Sequence, residues 1–264
     1  MLYALKDFGK SIANIRLWSF IAAKNIQIQY RRNILGLFWL VISFGIPALG
    51  IGYVLSKLQG LALIEHLPHV MFGFVGWYFV SDCLTQGSRV LTRNRPMLLQ
   101  APMGRSVFAL SMVVERFILL SVNLIVAAVL SSFFGWRITV EAFFIPVSIL
   151  IILITGIGTV MFLSVICARI RDLAELIASV VRLAFFFTPI IWSTTSRQFS
   201  PDSFLATAAR FNPLTYFVDV LRMPMLGSIP DALTLTVSCS IAGLMMVLGL
   251  IAIQRGGRGI AFYV

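Results

Sequence analysis

Hydrophobic residues form six long apolar runs along the chain, separated by shorter polar segments. Crossing about 30 Å of hydrocarbon takes roughly 20 residues of α-helix, and the runs are near or above that length. Backbone polar groups inside a bilayer must be satisfied within their own segment, which a helix achieves. The pattern predicts an all-α membrane protein, a single domain over residues 1–264 with six transmembrane helices. The predicted spans are about 34–55, 70–87, 107–134, 142–168, 173–192 and 232–253.

The fifth run differs from the others because it carries polar residues on one face. At helical spacing this face presents Glu175, Ser179, Arg182 and Phe186, and apolar residues cover the remainder. A charge near the bilayer centre costs about 2.5 to 3.5 kcal/mol, so we expect Arg182 to face protein or water. Two interpretations stay open: Arg182 lines a pathway, or it forms an ion pair with Glu115 or Asp82 of another span.

Apolar residues also recur at helical spacing in a segment before the first span, about residues 14–32, opposite basic and amide side chains. This pattern is typical of a helix lying in the membrane interface, or of one packed on the cytoplasmic face of its own bundle. The residues expected to anchor it and the entry to the first span are Trp18, Tyr30, Arg31 and Arg32.

The loop between the second and third runs contains a short apolar segment. We expect Asn94 to cap a helix that Pro96 begins and Pro102 ends. The middle of this segment is Met97, Leu98 and Leu99. An apolar helix on a cytoplasmic loop suits a partner's cleft, although packing on its own bundle is the alternative.

The segment 193–231 mixes aromatic and aliphatic residues with four prolines, and none of its apolar stretches is long enough to cross a membrane. We expect short re-entrant helices that dip into the outer leaflet. Their position after the fifth span would let them close the outer end of a pathway.

Composition agrees with a membrane protein, since 59% of the 264 residues are hydrophobic and 12% are charged. The net charge of +11 reflects topology rather than nucleic-acid binding. Fourteen basic residues fall on the side that includes both chain ends, and five fall on the other. The positive-inside rule therefore predicts that both termini are cytoplasmic. The first span follows more than thirty residues without a small-residue cleavage site, so we expect it to be retained.

Candidate chemistry in the sequence is sparse. Cys83, Cys167 and Cys239 are expected to be small buried hydrophobes, and His66 and His69 to lie in a solvated loop rather than in a metal site. We predict no catalytic residue, no metal and no bound cofactor. Gly9, Lys10 and Ser11 imitate the end of a phosphate-binding loop, but Ala4 stands where such a loop needs its first glycine, and no strand precedes it.

Four stretches resemble a known family in their order and spacing. They are QIQYRRNILGLFWLV, RNRPMLLQAPM, ARIRDLAELI followed by FFFTPIIW, and FNPLTYFVDVLRMPML. The chain resembles, along its whole length, the permease subunits of type 2 ABC exporters that move polysaccharides such as O-antigen, capsule and teichoic acid. The ending GRGIAFYV is most similar to the O-antigen branch, with capsule or teichoic acid export as the alternative.

The resemblance implies a homodimer in the bacterial inner membrane, bound to two ATP-binding subunits that hold the ATP and Mg²⁺. It places the interfacial helix and the contact residues Asn94, Met97, Leu98 and Leu99 against the ATPases. The first and fifth spans line the channel, with Glu175, Ser179, Arg182, Phe186 and Trp192 as expected lining residues, and segment 193–231 forms the outer gate. The implied substrate is a glycan on polyprenyl pyrophosphate, whose sugars would meet ring faces of Phe185, Phe186, Phe187 and Trp192.

Two other classes are weighed against this one. A secondary transporter couples to ions through intramembrane carboxylates, and only Asp82 and Glu115 qualify, both near the cytoplasmic end of their spans. A membrane-embedded enzyme needs a nucleophile and a base, which two loop histidines and isolated acids do not provide.

Overall fold

The computed structural model of the protein describes residues 2–31, 38–100, 103–192 and 204–256, and these residues form α-helices joined by short turns. In chain order the α-helices are α1 (Leu2–Ala13), α2 (Ile15–Tyr30), α3 (Phe38–Gln59), α4 (Leu63–Thr85), α5 (Val90–Arg93), α6 (Arg95–Gln100), α7 (Ser106–Ser132), α8 (Ile145–Arg169), α9 (Asp172–Phe187), α10 (Phe204–Phe211), α11 (Pro213–Met225) and α12 (Ala232–Gly256). The all-α prediction is confirmed for the described residues.

Four of these helices are long and apolar enough to cross a membrane: α3, α7, α8 and α12. They correspond to the first, third, fourth and sixth predicted spans. Helix α4 has 23 residues, but Glu65, His66, His69 and Asp82 lower its mean hydropathy, and α9 has only 16 residues. Both helices form where the second and fifth spans are predicted, and their crossing of the membrane stays a prediction.

Helix α4 occupies the centre of the bundle. Its core side chains include Leu67, Val70, Phe72 and Val75, and it packs against α3, α7, α8, α9 and α11. A helix surrounded by other helices can carry polar side chains, because neighbouring helices satisfy them in place of lipid. The helix at the centre of the described bundle is therefore not one of the four that are long and apolar enough to be identified as spans.

The structure corrects the predicted start of the second span. Helix α4 begins at Leu63, seven residues before the predicted start, and Pro68 lies inside it. His66 and His69 are helical and stacked, with ring centroids 6.2 Å apart, so the prediction of a solvated loop is wrong. The proline removes one backbone hydrogen bond, but packing of His66 and Leu67 in the bundle interior holds the helix together.

Helices α8 and α12 make the closest backbone approach in the described structure. A Cβ atom at Gly158 would lie 2.4 Å from the backbone of Met245, and one at Gly249 would lie 2.7 Å from the Gly158 carbonyl oxygen. Small residues at such crossings let two membrane helices gain dispersion contacts along their length. Glycines in the first span, Gly45 and Gly52, allow similar contacts with Leu130 and Leu67.

The bundle has two distinct ends. At one end the Ala4 amide donates to Gln254 Oε1 over 2.9 Å, and an Arg169 guanidinium nitrogen lies 3.4 Å from the Arg255 carbonyl oxygen, which joins α1, α8 and α12. At the other end Trp136 Nε1 donates to the Met225 carbonyl over 2.7 Å. The segments predicted to be cytoplasmic thus share one end, although which compartment this end faces stays a prediction.

Two shorter helices, α10 and α11, follow the fifth predicted span, and residues 193–203 of the same segment lie outside the described residues. Helix α11 is half-buried, with Phe217, Val218 and Leu221 in the core against α4, α8 and α12. Short helices in this region are confirmed, and their entry into the outer leaflet stays a prediction.

The cysteines divide between interior and surface. Cys83 and Cys167 are buried, as predicted, but Cys239 is exposed on α12. The apolar run around Cys239 faces outward over much of its length, since α12 makes its main contact with α8 through one side.

Candidate functional site: a groove along helix α9

Helix α9 presents the predicted polar face on its exposed side. Glu175, Ser179, Arg182 and Phe186 are all exposed. Ser179 Oγ donates to the Glu175 carbonyl over 3.0 Å and accepts from Arg182 Nη2 over 3.0 Å. Among the described residues, no carboxylate lies within ion-pair distance of Arg182, so its charge is available at the surface of the protomer.

A groove of about 720 Å³ runs between this face and helix α4. Its α4 wall includes Trp77, Ser81 and Thr85, and its α9 wall includes Arg182 and Phe186. The groove therefore combines a cation, hydroxyl groups and aromatic rings.

An ion pair closes one end of the groove. Arg89 Nη2 lies 2.7 Å from Glu175 Oε1, and both side chains are exposed. Because an exposed ion pair contributes little stability, it can open at small cost. Glu175 was predicted as a lining residue, and the structure gives it this partner 86 residues away.

The aromatic residues at the end of α9 separate into two sets. Phe185 packs on α4, with ring centroids 5.5 Å from Trp77 and 5.7 Å from Phe74. Trp192 is buried, and its Nε1 donates to the Phe186 carbonyl over 3.2 Å. Phe186 and Phe187 remain exposed. The structure thus brings four of the five predicted lining residues onto one surface and places Trp192 behind it.

The two acids considered as partners for Arg182 belong instead to Arg116 on α7. Arg116 Nη1 donates to Asp82 Oδ2 over 2.9 Å, and its Nη2 bonds to Glu115 Oε1. Asn25 of α2 donates to the other Glu115 oxygen over 3.1 Å. Glu115 and Arg116 thus bond to other helices and also pair with each other. The interpretation that pairs Arg182 with Glu115 or Asp82 is therefore wrong for this protomer.

A second buried arginine, Arg222 of α11, lies in segment 193–231 and was not among the predicted site residues. It bonds to Asp219, one turn away, and donates to the Pro189 carbonyl over 2.5 Å. It also lies 2.9 Å from His69 Nε2. A guanidinium has only donors, so Nε2 is the acceptor here. The sequence did offer a signal for this buried arginine, because Asp219 and Arg222 are three residues apart in an apolar helix and can pair.

Arg222 helps to fix the chain that follows α9. Asn212 Nδ2 donates to Thr188 Oγ1 over 2.8 Å, next to the Pro189 carbonyl that Arg222 holds. The end of α9 is thereby tied to α11, and the orientation of the groove depends on the segment predicted to form an outer gate.

The short helix α6 lies where the partner contact is predicted. Met97 and Leu99 are exposed, whereas Leu98 packs against the protein's own core. The Asn94 side chain donates to the Val90 carbonyl over 2.8 Å, at the end of the preceding helix. The Asn94 side chain therefore caps the end of α5 through its amide group. In the predicted role its side-chain oxygen would have capped the start of α6 instead.

Helix α2, the predicted interfacial helix, packs on α7 through Ile21 and Ala22. Trp18 and Tyr30 are half-buried, Arg31 is exposed, and Arg32 lies outside the described residues. Burial raises the pKa of the Tyr30 hydroxyl, opposed by the nearby charge of Arg116, so Tyr30 is neutral at physiological pH. Packing of this helix on its own bundle is observed, and its position in the membrane interface stays a prediction.

These features define a polytopic integral membrane protein with a charged groove along one helix. The model of the family described as ABC-2 type transporter matches residues 16–226. The match covers most of the chain, and the protein belongs to this family. The chain is also similar to the O-antigen export system permease protein RfbA of Myxococcus xanthus, with 24% identity over 179 residues, which cover 67% of this chain and 68% of that protein. The resemblance to polysaccharide exporter permeases is confirmed.

Proposed function

We propose that the chain is the channel-forming permease subunit of an ATP-driven exporter that moves a polysaccharide linked to polyprenyl pyrophosphate across the cytoplasmic membrane. The observation that carries this proposal is the exposed face of α9, where Arg182 has no carboxylate partner among the described residues. Intramembrane charges that are not paired within the protein mark routes for substrates or ions. A pyrophosphate passing the groove would meet this guanidinium.

The test combines transport with accessibility. We expect Arg182→Gln to assemble normally and to lower export at least tenfold, with Arg182→Lys retaining more activity because it keeps the charge. Single cysteines at Ser179 and Phe186 should react with a water-soluble thiol reagent in the working transporter. Because Cys239 is exposed, the labelling background needs Cys239→Ser.

A cysteine at Ala174, which is buried on α9 and does not line the groove, is the matched control. If the cysteines at Ser179 and Phe186 react no faster than the one at Ala174, or if Arg182→Gln exports like the wild type, α9 does not line the pathway.

We propose a homodimer because a channel needs a second wall opposite the α9 groove. Leu176, Val180 and Leu183 flank the polar face and are exposed in the protomer. Oxidative cross-linking of a cysteine at Leu183 should give a covalent dimer in membranes. A protein that stays monomeric by cross-linking and by mass in detergent would contradict the dimer.

We propose that two ATP-binding subunits, which hold ATP and Mg²⁺, contact the exposed residues Met97 and Leu99 of α6 at the cytoplasmic end. Leu99→Asp should reduce the ATPase that co-purifies with the permease several-fold, because burying a carboxylate in an apolar cleft is unfavourable. Leu98→Asp should instead destabilise the permease itself, since Leu98 packs on its own bundle. Normal co-purification of Leu99→Asp would move the contact elsewhere.

We propose O-antigen as the substrate, supported by the similarity to the O-antigen export permease of Myxococcus xanthus and by the sequence motifs. Cells lacking the protein should accumulate lipid-linked glycan on the cytoplasmic side, and its sugar composition identifies the polymer. Capsule or teichoic acid repeat units in that material would replace O-antigen as the cargo.

A cysteine at Asn94 that reacts from outside intact cells would overturn the proposed cytoplasmic location of that loop.

A further inference from the structure

Helix α1, which the hydrophobic pattern did not predict, has an inverted arrangement of side chains. Its polar Asp7 and Ser11 are buried against the bundle, whereas Leu2, Leu5 and Ile12 form an exposed apolar stripe. Lys6 and Lys10 lie on the flank between these two faces. A helix that turns apolar residues outward and carries lysines along the edge of that stripe has the pattern of a membrane-surface helix.

The contacts of α1 fix its depth relative to the spans. Asp7 Oδ2 accepts from the Ser106 amide over 3.0 Å and from Ser106 Oγ over 2.7 Å, so Asp7 caps α7. The Ala4 amide bonds to Gln254 near the end of α12. These span helices have 27 and 25 residues and exceed the hydrocarbon thickness, so their ends lie among lipid headgroups. Helix α1 lies at that level.

A cavity of about 620 Å³ opens between α1 and the start of α7. Three cations line it: Lys6, Lys10 and Arg105. Among its described lining residues Asp7 is the only acid, and its oxygens are engaged by the first amides of α7, with Arg105 N at 3.2 Å. The cavity is therefore electropositive. Leu17, Leu98, Met103 and Val107 give it apolar walls.

Two buried donors in this cavity lack partners in the described structure. Ser11 is 2% exposed, and its Oγ makes no hydrogen bond. The Nε of Arg105 is buried and likewise unpaired, while its Nη1 donates to the Tyr3 hydroxyl over 2.8 Å. Buried donors left unpaired are costly, which indicates that an acceptor fills the site. Gly104 keeps the floor open, since a Cβ there would come within 2.7 Å of Ser11 Oγ.

We propose that this cavity binds the phosphate-bearing headgroup of an anionic membrane phospholipid. Lys6, Lys10 and Arg105 neutralise the phosphate, and Ser11 Oγ and Arg105 Nε donate to its oxygens. The apolar stripe of α1 lies among the acyl chains beside it. This site is separate from the α9 groove and does not depend on the proposed transport function.

The test uses the detergent-purified full-length protein, titrated separately with dioctanoyl phosphatidylglycerol, dioctanoyl phosphatidylcholine and inorganic phosphate. Kd and the thermal unfolding midpoint are measured. Phosphatidylglycerol should bind and raise the midpoint, and phosphatidylcholine should not. Inorganic phosphate should bind at least about tenfold more weakly, because it gains nothing from apolar burial. In Lys6→Gln/Lys10→Gln the Kd for phosphatidylglycerol should rise about thirty-fold, from the contribution of each basic residue at an anionic surface.

The matched control is Arg16→Gln/Lys24→Gln, which removes two exposed charges from the neighbouring helix α2 outside the cavity. It should bind phosphatidylglycerol like the wild type. Ser11→Ala should weaken binding several-fold without changing the unliganded unfolding midpoint, and it keeps the test valid if the double lysine variant misfolds.

Four results would overturn the proposal. The first is unchanged phosphatidylglycerol binding in both the lysine double variant and Ser11→Ala, and the second is an equal loss in the α2 control. The third is inorganic phosphate binding as tightly as the lipid, which would make the site a free-anion site. The fourth is loss of the co-purifying ATPase from these cavity variants with lipid binding unchanged, because the cavity would then be a protein contact.

Discussion

Arg116, Arg182 and Arg222 lie in apolar helices of this protein, and the environment of Arg182 differs sharply from that of the other two. Arg116 and Arg222 have side chains only 9% and 6% exposed, and each is held by carboxylate and other polar partners. Arg182 is exposed and bonds to Ser179 alone among the described side chains. A charge retained in an apolar helix is explained by its partners in the first two cases and by a role outside the protomer in the third.

The two buried arginines bond to opposite ends of α4, each from a different neighbouring helix. Arg116 bonds to Asp82, and Arg222 contacts His69, thirteen residues earlier in the helix and about 20 Å along its axis. Both interactions join helices distant in sequence, so they hold the bundle on each side of the α9 groove. The comparison teaches that polar residues in this bundle have two separable roles: fixing the frame and facing the pathway.

The largest effect is expected at Arg116. Arg116→Met leaves the buried Glu115 and the half-buried Asp82 without their cation, which should destabilise the protein by about 3–5 kcal/mol. The yield of monodisperse protein and its unfolding midpoint in detergent measure this loss. Adding Glu115→Gln and Asp82→Asn should recover much of the yield, because the uncompensated charges are then removed. A single variant as stable as the wild type would show that Arg116 does not hold the frame.

A smaller loss is expected at Arg222. Unlike Arg116, Arg222 pairs with no fully buried carboxylate, since Asp219 is partly exposed and can be hydrated. Arg222→Met should therefore cost about 2–3 kcal/mol, mainly from the unpaired Pro189 carbonyl and His69. The measurement is the unfolding midpoint together with protease cleavage after α9, which should increase. Arg210→Met, which changes an exposed arginine on the adjacent helix α10, is the control. Equal effects in the two variants would show that Arg222 contributes no more to stability than an exposed arginine.

The smallest effect on stability is expected at Arg182. Arg182→Gln should change the free energy of unfolding by no more than about 0.5 kcal/mol, because the side chain is exposed and lacks an acidic partner. Unfolding of the assembled protein by heat or denaturant checks this value. A loss as large as that of Arg222→Met would mean that Arg182 pairs within the assembly and belongs with the frame.

Much of the helical layout could be predicted from the sequence, because apolar runs of this length admit few other structures in a bilayer. The polar face of α9 was also readable, since Glu175, Ser179, Arg182 and Phe186 recur at helical spacing and are exposed together. Helix α1 could not be predicted in this way, because Lys6, Asp7 and Lys10 interrupt its short apolar stripe, and the burial of Asp7 against α7 depends on tertiary packing. The start of α4 was misplaced because Pro68 between two histidines imitates a loop.

The sequence by itself determined the helical class, the approximate positions of the four helices that can span a membrane, the face on which Arg182 lies and the membership of the ABC-2 type transporter family. These features depend on local periodicity and on ordered motifs, which are present in the chain before it folds. Only the tertiary structure decided that Asp82 and Glu115 belong to Arg116, that Arg222 is buried, and that Leu98 turns inward while Leu99 faces out. Such pairings join residues up to 153 positions apart, and their choice depends on how distant helices pack.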